Sequence, residues 1–281
     1  MKRSEEKYFT ICSNMKKDIL DLCHRSGKGK AHLGGCMSLV EILAVLYTDI
    51  MYLGAYNDVD AKRDRLILSK GHGALALYAA LRQAGKITEQ EMQLPVRGEK
   101  TFLYRHPKMN LRKGIEVSSG SLGLGLPYGV GIAYALKKKY AVATPKVFVI
   151  LGDGECNEGA VWEAAALAAS LNLENLTVIV DKNNLQLDGS TKDIVDMRNL
   201  SEKWQSFGFY TLNVDGHSCE KLAAAFHKKS TLPKAVIADT VKGKGISFAE
   251  NRVEWHDNYL SDTLYEIAQR DIEGIYNGKK D

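Results

Sequence analysis

Five short runs punctuate the sequence: "RLILS" (65–69), "KVFVILG" (146–152), "NLTVIVD" (175–181), "FYTLNV" (209–214) and "KAVIADT" (234–240). Most are apolar nearly throughout instead of alternating with polar residues, the pattern of strands covered on both faces. Helical stretches at 73–84, 122–139, 158–171 and 218–229 lie between most of them. Strands alternating with helices predict an α/β fold, a doubly wound, mostly parallel sheet with helices on both faces. Upstream, Tyr8, Cys12, Met15, Ile19 and Leu22 form a helical stripe within 4–24. A second helix is expected over 38–53, where Ser38 stands three residues before Glu41 in the spacing of a capping box. No repeat, low-complexity linker or shift of composition interrupts the 281 residues, so residues 1–281 read as one domain.

Sheets of this kind bind ligands outside the carboxyl ends of their strands. Four polar knots fall there: "SKGHG", "GDGECNEG", "DKNNLQLDG" and "DTVKGKG". In the second, Asp153 stands between Gly152 and Gly154, which let the chain turn sharply and a ligand approach the backbone. A helix beginning near Glu158 would aim its free amides at the same place, a setting for phosphate oxygens. A carboxylate beside phosphates needs a cation between them. Asp153, Asn183 and the carbonyl of Leu185, with phosphate oxygens and water, supply the hard oxygen donors that Mg²⁺ prefers. Gly-Asp-Gly alone is a common turn; the pairing with Asn183, about thirty residues on at another strand end, is far more specific.

Composition narrows the partners. A net charge of +4, with no interleaving of basic and aromatic residues, is no nucleic-acid footprint. The runs Lys137–Lys139 and Lys279–Lys280 read as solvated surface. Five cysteines without paired spacing argue against a disulfide framework or zinc site and for a reducing compartment. The opening "MKRSEEKYFT" lacks the apolar run of a signal peptide, and no stretch is apolar enough to cross a bilayer. A cytoplasmic protein is expected, with no membrane partner.

Gly-Asp-Gly followed some thirty residues later by Asn after an apolar strand resembles the thiamine diphosphate fingerprint. "GKGKAHLGGCMSLVEIL" (27–43), "LSKGHGALALYAAL" (68–81), "EVSSGSLGLGL" (116–126), "LGDGECNEGAVWEAAALAASLNLENL" (151–176) and "VKGKGISFAENRVEWHD" (241–257) resemble successive motifs of transketolases, in the family's order. The resemblance covers the diphosphate-binding half only. It implies the N-terminal subunit of a split transketolase, inactive alone. A separate chain would carry the pyrimidine-binding and C-terminal domains, in an α₂β₂ assembly.

The same resemblance assigns residues. Asp153, Asn183 and Leu185 would hold Mg²⁺, with Ca²⁺ or Mn²⁺ able to substitute, against thiamine diphosphate. Gly152 and Gly154 would border the diphosphate, Gly154 through its amide. Leu122 would pack near the thiazolium, with Gly120, Gly123 and Gly125 keeping the backbone close. His72 and His256 would contact diphosphate or substrate oxygens, His32 and His256 the substrate carbonyl or hydroxyl, and His106 the ketol group. Such work suits imidazole, which donates, accepts and carries protons near neutral pH. Glu158 and Glu163 would lie at the subunit interface, where a carboxylate would couple to the partner's acidic group near the cofactor, with Glu158 among the cofactor-binding residues; alternatively they are carboxylates favoured by a helix N-terminus. His24, His217 and His227 match no motif and read as structural or exposed. The segment "YRHPKMNLRKGIEV" departs from the family pattern, with Arg105 where glycine is usual, and Leu124 stands where glutamine is common. Both departures lie along the expected channel, so the sugar or sugar phosphate need not be the usual one. Two other readings fit the knots less completely: the α chain of a 2-oxo-acid dehydrogenase, and a non-catalytic cofactor-binding regulator.

Overall fold

A computed structural model describes residues 3–54, 62–140 and 143–277; the Lys279–Lys280 run lies outside them. The strands are β1 (Arg65–Leu68), β2 (Val147–Gly152), β3 (Leu176–Lys182), β4 (Tyr210–Asp215) and β5 (Lys234–Asp239). They form one parallel sheet in the order β1-β2-β3-β5-β4. The helices, in chain order, are α1 (Arg3–Arg25), α2 (Leu33–Met37), α3 (Val40–Val45), α4 (Ala74–Gln83), α5 (Glu89–Met92) and α6 (Gly125–Lys139). They continue with α7 (Gly159–Ser170), α8 (Thr191–Val195), α9 (Leu200–Ser206), α10 (Cys219–His227) and α11 (Asp262–Asn277).

The period of two along each strand divides the core. Phe148 and Ile150 of β2 face a cluster with α1, α3, α4, α10 and α11. Val147, Val149 and Leu151 face the other, under α6, α7 and α9. Continuous apolar strands are therefore what a sheet sandwiched between two helical layers requires. Register then aligns the strand ends: Gly152 pairs with Asp181, and Lys182 with Asp239. The loops leaving β2, β3 and β5 thus emerge side by side.

The expected helix over 38–53 is broken into α3 and a π-helical turn, Leu46–Ile50, and Ser38 closes no capping box. Its hydroxyl donates to Asp181 Oδ2 at 2.7 Å instead, and Glu41 accepts from Lys16 Nζ at 3.2 Å. A buried carboxylate makes charge-assisted hydrogen bonds, which are stronger than the neutral cap they replace. All five cysteines are free and buried. Among the described residues no helix is long and apolar enough to cross a membrane.

Candidate active site

The four knots meet. A cavity of about 240 Å³ at the carboxyl ends of the strands is lined by Lys70, His72, Asp153, Asn183, Lys242 and His256, among others. Gly71 explains how the first knot fits. A Cβ there would stand 2.7 Å from the backbone nitrogen of Gly120, so the "SKGHG" and "GSLGLG" loops touch backbone to backbone.

Asp153 directly follows β2 and is 4% exposed. Its carboxylate accepts from Gly154 N at 2.9 Å and Asn184 N at 2.6 Å. Burial, then the Asp181 charge, pushes its pKa up to about 6. It is a buried anion with no salt-bridge partner among the described residues, the environment that a cation relieves. Asn183 donates through Nδ2 to Asp181 Oδ2 at 3.4 Å, which fixes the amide's orientation, and its Oδ1 accepts from Leu185 N at 3.1 Å. Asn184 between them takes φ 61, a left-handed conformation that asparagine tolerates. Asp153, Asn183 and Leu185 therefore line one cavity, and the two side-chain oxygens with the Leu185 carbonyl, which also accepts a long 3.4 Å contact from Lys242 Nζ that a metal would replace, make a hard donor set that fits Mg²⁺. Among the described residues no group of three or more His, Cys, Asp or Glu side chains is arranged to hold a metal ion, so a metal here would rest on the mixed set of one carboxylate, one amide and one backbone carbonyl.

Beneath these residues lies a charged floor. Asp181 and Lys70 are wholly buried and paired. Asp181 also accepts from Ser38 and Thr240, and Lys70 from its other side reaches Gly35 O at 3.3 Å. Burial raises the Asp181 carboxyl, but the Lys70 ammonium and these hydrogen bonds outweigh it and hold the pKa below the ordinary value. Glu155 is the carboxylate that shapes the Gly-Asp-Gly loop. It accepts from Gly152 N at 3.1 Å, Gly123 N at 2.8 Å and the Ser69 hydroxyl.

The four motif histidines form one group. Ring centroids are 5.2 Å apart for His32 and His106, 5.6 Å for His32 and His256, and 4.9 Å for His72 and His256. Burial pushes His32 down to about 3; burial and then Lys242 push His256 down to about 4. Burial also lowers His72 and His106. Burial thus favours the neutral imidazole at all four, a form that donates from one nitrogen and accepts at the other. Lys242 is 2% exposed and donates to His256 Nδ1 at 2.9 Å, Gln186 O at 3.2 Å and Leu185 O at 3.4 Å. The imidazole of His256 therefore carries its proton on Nε2.

Of the expected site residues, Gly120, Leu122, Gly152, Asp153, Gly154, Asn183, Leu185 and the four histidines line the cavity. Gly123 sits behind it, donating to Glu155, and Glu158 is exposed as the residue capping α7. A 3₁₀ turn, Gly154–Asn157, separates Asp153 from α7, so the amides that reach the carboxylate are those of Gly154 and Asn184 and not the free amides of α7. Glu163 is exposed on α7 beside an apolar groove with Tyr134 and Leu167. Lys70, Lys242, Asp181, Glu155 and Gln186 went unassigned in the sequence. The two lysines stand within quoted knots at strand ends, and that placement is the signal the sequence offers.

Comparison with known proteins gives a family model described as "Transketolase, thiamine diphosphate binding domain", matching residues 13–274. The chain is similar to the 6-deoxy-6-sulfo-D-fructose transketolase subunit SqwG of Clostridium sp. (strain MSTE9), 36% identical over 248 residues, covering 87% of this chain and 89% of that one. It is also similar to an apulose-4-phosphate transketolase subunit from Actinobacillus succinogenes, 38% identical over 261 residues, covering 92% and 93%. Among solved structures, transketolase from Campylobacter jejuni superposes with a TM-score of 0.82 at 26% identity, covering 95% of this chain and 42% of the other. The chain therefore spans about two fifths of that longer protein.

Proposed function

The chain belongs to the transketolase family, and we propose that it is the N-terminal subunit of a two-chain, thiamine diphosphate- and Mg²⁺-dependent transketolase. The complex would transfer a two-carbon ketol unit from a ketose, or its phosphate, to an aldose acceptor. The carrying observation is one cleft that brings a buried aspartate outside any salt bridge among the described residues together with Asn183 and four imidazoles. Two relatives named as subunits, each matched over about nine tenths of its length, support a separate partner chain. Sulfofructose and apulose 4-phosphate, in the names of those relatives, support a sugar carrying an acidic group. The single domain over 1–281, the α₂β₂ assembly and a cytoplasmic location belong to the same proposal, the last supported by five buried free thiols.

Asp153, Asn183 and the Leu185 carbonyl would hold Mg²⁺, and Lys242, His72 and His256 would face diphosphate oxygens. Bound thiamine diphosphate supplies an electron sink for carbon–carbon cleavage. His32 and His256, neutral and partly dry, are suited to hold hydroxyl or carbonyl oxygens and to exchange protons with them. His106, at the exposed side of the group, would orient the ketol end. Glu158 and Glu163, both exposed near the α6–α7 groove, are placed for a partner chain.

Ketol transfer between sugar phosphates, assayed for this chain alone and with its C-terminal partner, with thiamine diphosphate and Mg²⁺ present, tests the reading. Activity is expected in the mixture only. Activity of the chain alone refutes the two-chain site, and cofactor binding without transfer in the mixture refutes the reaction.

A further inference from the structure

Lys242 enters the cleft from the turn after β5, and the backbone of that turn is held from behind. Val241 N donates to His217 Nε2 at 2.9 Å. A ring nitrogen that accepts an amide proton carries none itself, so His217 Nδ1 bears the proton and donates to Glu41 Oε2, 2.9 Å away. The other Glu41 oxygen accepts from Lys16 Nζ, with the two side chains 10% and 4% exposed. Burial raises the Glu41 carboxyl, but Lys16 and His217 outweigh it and hold the pKa below its ordinary value. The backbone N–H of His217 is itself tied to Asp215 Oδ1 at 3.0 Å, at the end of β4. A chain of contacts thus runs from α1 through Glu41 and His217 to the amide preceding Lys242. His217 does not line the cofactor cleft; it borders a separate cavity of about 620 Å³ behind it.

We propose that His217, oriented by Glu41 and Lys16, is a positioning residue for Lys242. A lysine stem is flexible, so where its ammonium rests depends on how firmly the backbone below is fixed. After Lys242 the turn is fixed by Gly243, whose N–H donates to Gly34 O at 2.9 Å and where a Cβ would stand 2.3 Å from Ala249 O. His217 fixes the other side. With both held, Lys242 Nζ stays between His256 and the carbonyls of Leu185 and Gln186, in reach of an anionic cofactor group. This assignment rests on reading the cleft as a thiamine diphosphate site.

The test is thiamine diphosphate binding to the complex with its partner, measured by calorimetry in excess Mg²⁺, for His217→Ala, Lys242→Met and the double variant. His217→Ala should weaken binding about tenfold. The double variant should bind no more weakly than Lys242→Met alone, since residues acting through one group are not additive. His217→Gln, which keeps an acceptor for the Val241 amide, should stay within about twofold of the unaltered protein and covers the case in which alanine unfolds the turn. Unchanged affinity in His217→Ala, full additivity in the double variant, or a loss in His217→Gln equal to that in alanine overturns the assignment. If the unaltered complex binds no thiamine diphosphate, the reading of the cleft fails first, and that outcome is distinct from the other three.

Discussion

Lys70→Met isolates the value of the charged floor. Methionine keeps most of the lysine stem's volume and flexibility, so the change is chiefly electrostatic. The Lys70 and Asp181 side chains are 1% and 0% exposed, leaving Asp181 no route to water when the ammonium is gone. Breaking a buried pair by removing one partner costs roughly 3–5 kcal/mol. Asp181 keeps donors from Ser38, Thr240 and Asn183, which places the expectation at the lower end, about 3 kcal/mol. For a chain of this size each kcal/mol moves Tm by about 2–4 °C, so the midpoint should fall by roughly 6–12 °C. Adding Asp181→Asn removes the stranded charge, and the double variant should recover to within about 1–2 kcal/mol of the unaltered chain. Urea unfolding at pH 7, with thermal scans alongside, measures all four proteins. A loss below about 1 kcal/mol for Lys70→Met, or a double variant as unstable as the sum of the singles, refutes the reasoning.

Three further outcomes are expected. The folded pKa of His32 lies below its unfolded value, so the unfolded chain binds the extra proton and stability falls as pH drops below about 6.5 towards about 3. This contributes up to roughly 1.4 kcal/mol per pH unit, and His32→Gln should flatten the urea-unfolding profile between about pH 6 and 4 by that much; an unchanged slope excludes it. Gly71→Ala drives a methyl into the Gly120 backbone and should cost about 1–3 kcal/mol by thermal unfolding while weakening cofactor binding; an unshifted Tm would show that the two loops separate freely. Chelating divalent metal should weaken thiamine diphosphate binding at least tenfold, read by calorimetry, and Asp153→Asn should make binding insensitive to the chelator; equal sensitivity in both proteins removes Asp153 from the metal site.

The sheet was legible because burial on both faces leaves no polar period in its inner strands; each run, including that of the part-exposed edge strand β4, became a parallel strand with ends within a residue or two of those expected. The histidines were legible only as members of motifs, since nothing in an isolated imidazole tells surface from cleft. Ser38 shows where local reading fails. Its spacing to Glu41 satisfies a capping rule, but its hydroxyl answers a carboxylate 143 positions away. Lys70 and Lys242 were missed for a related reason. Lysine is ordinarily solvated, and only tertiary partners, Asp181 for one and His256 with two carbonyls for the other, reveal it as buried. Arg105, where glycine was expected, pairs with Asp257, so that departure links the loop of His106 to the turn of His256.

The sheet order carries a consequence for how the molecule comes into being. β5 is the last strand to leave the ribosome, but it lies inside the sheet, between β3 and β4. Until it arrives, β4 has no neighbour, Asp181 lacks Thr240, and Lys242 and His256 have not been made. A nascent chain holding β1 to β3 can build one side of the binding cleft and must wait for the other. The cleft is therefore completed only once β5 has been made, and a ribosome stalled before β5 would display a half-sheet with β3 as an open edge.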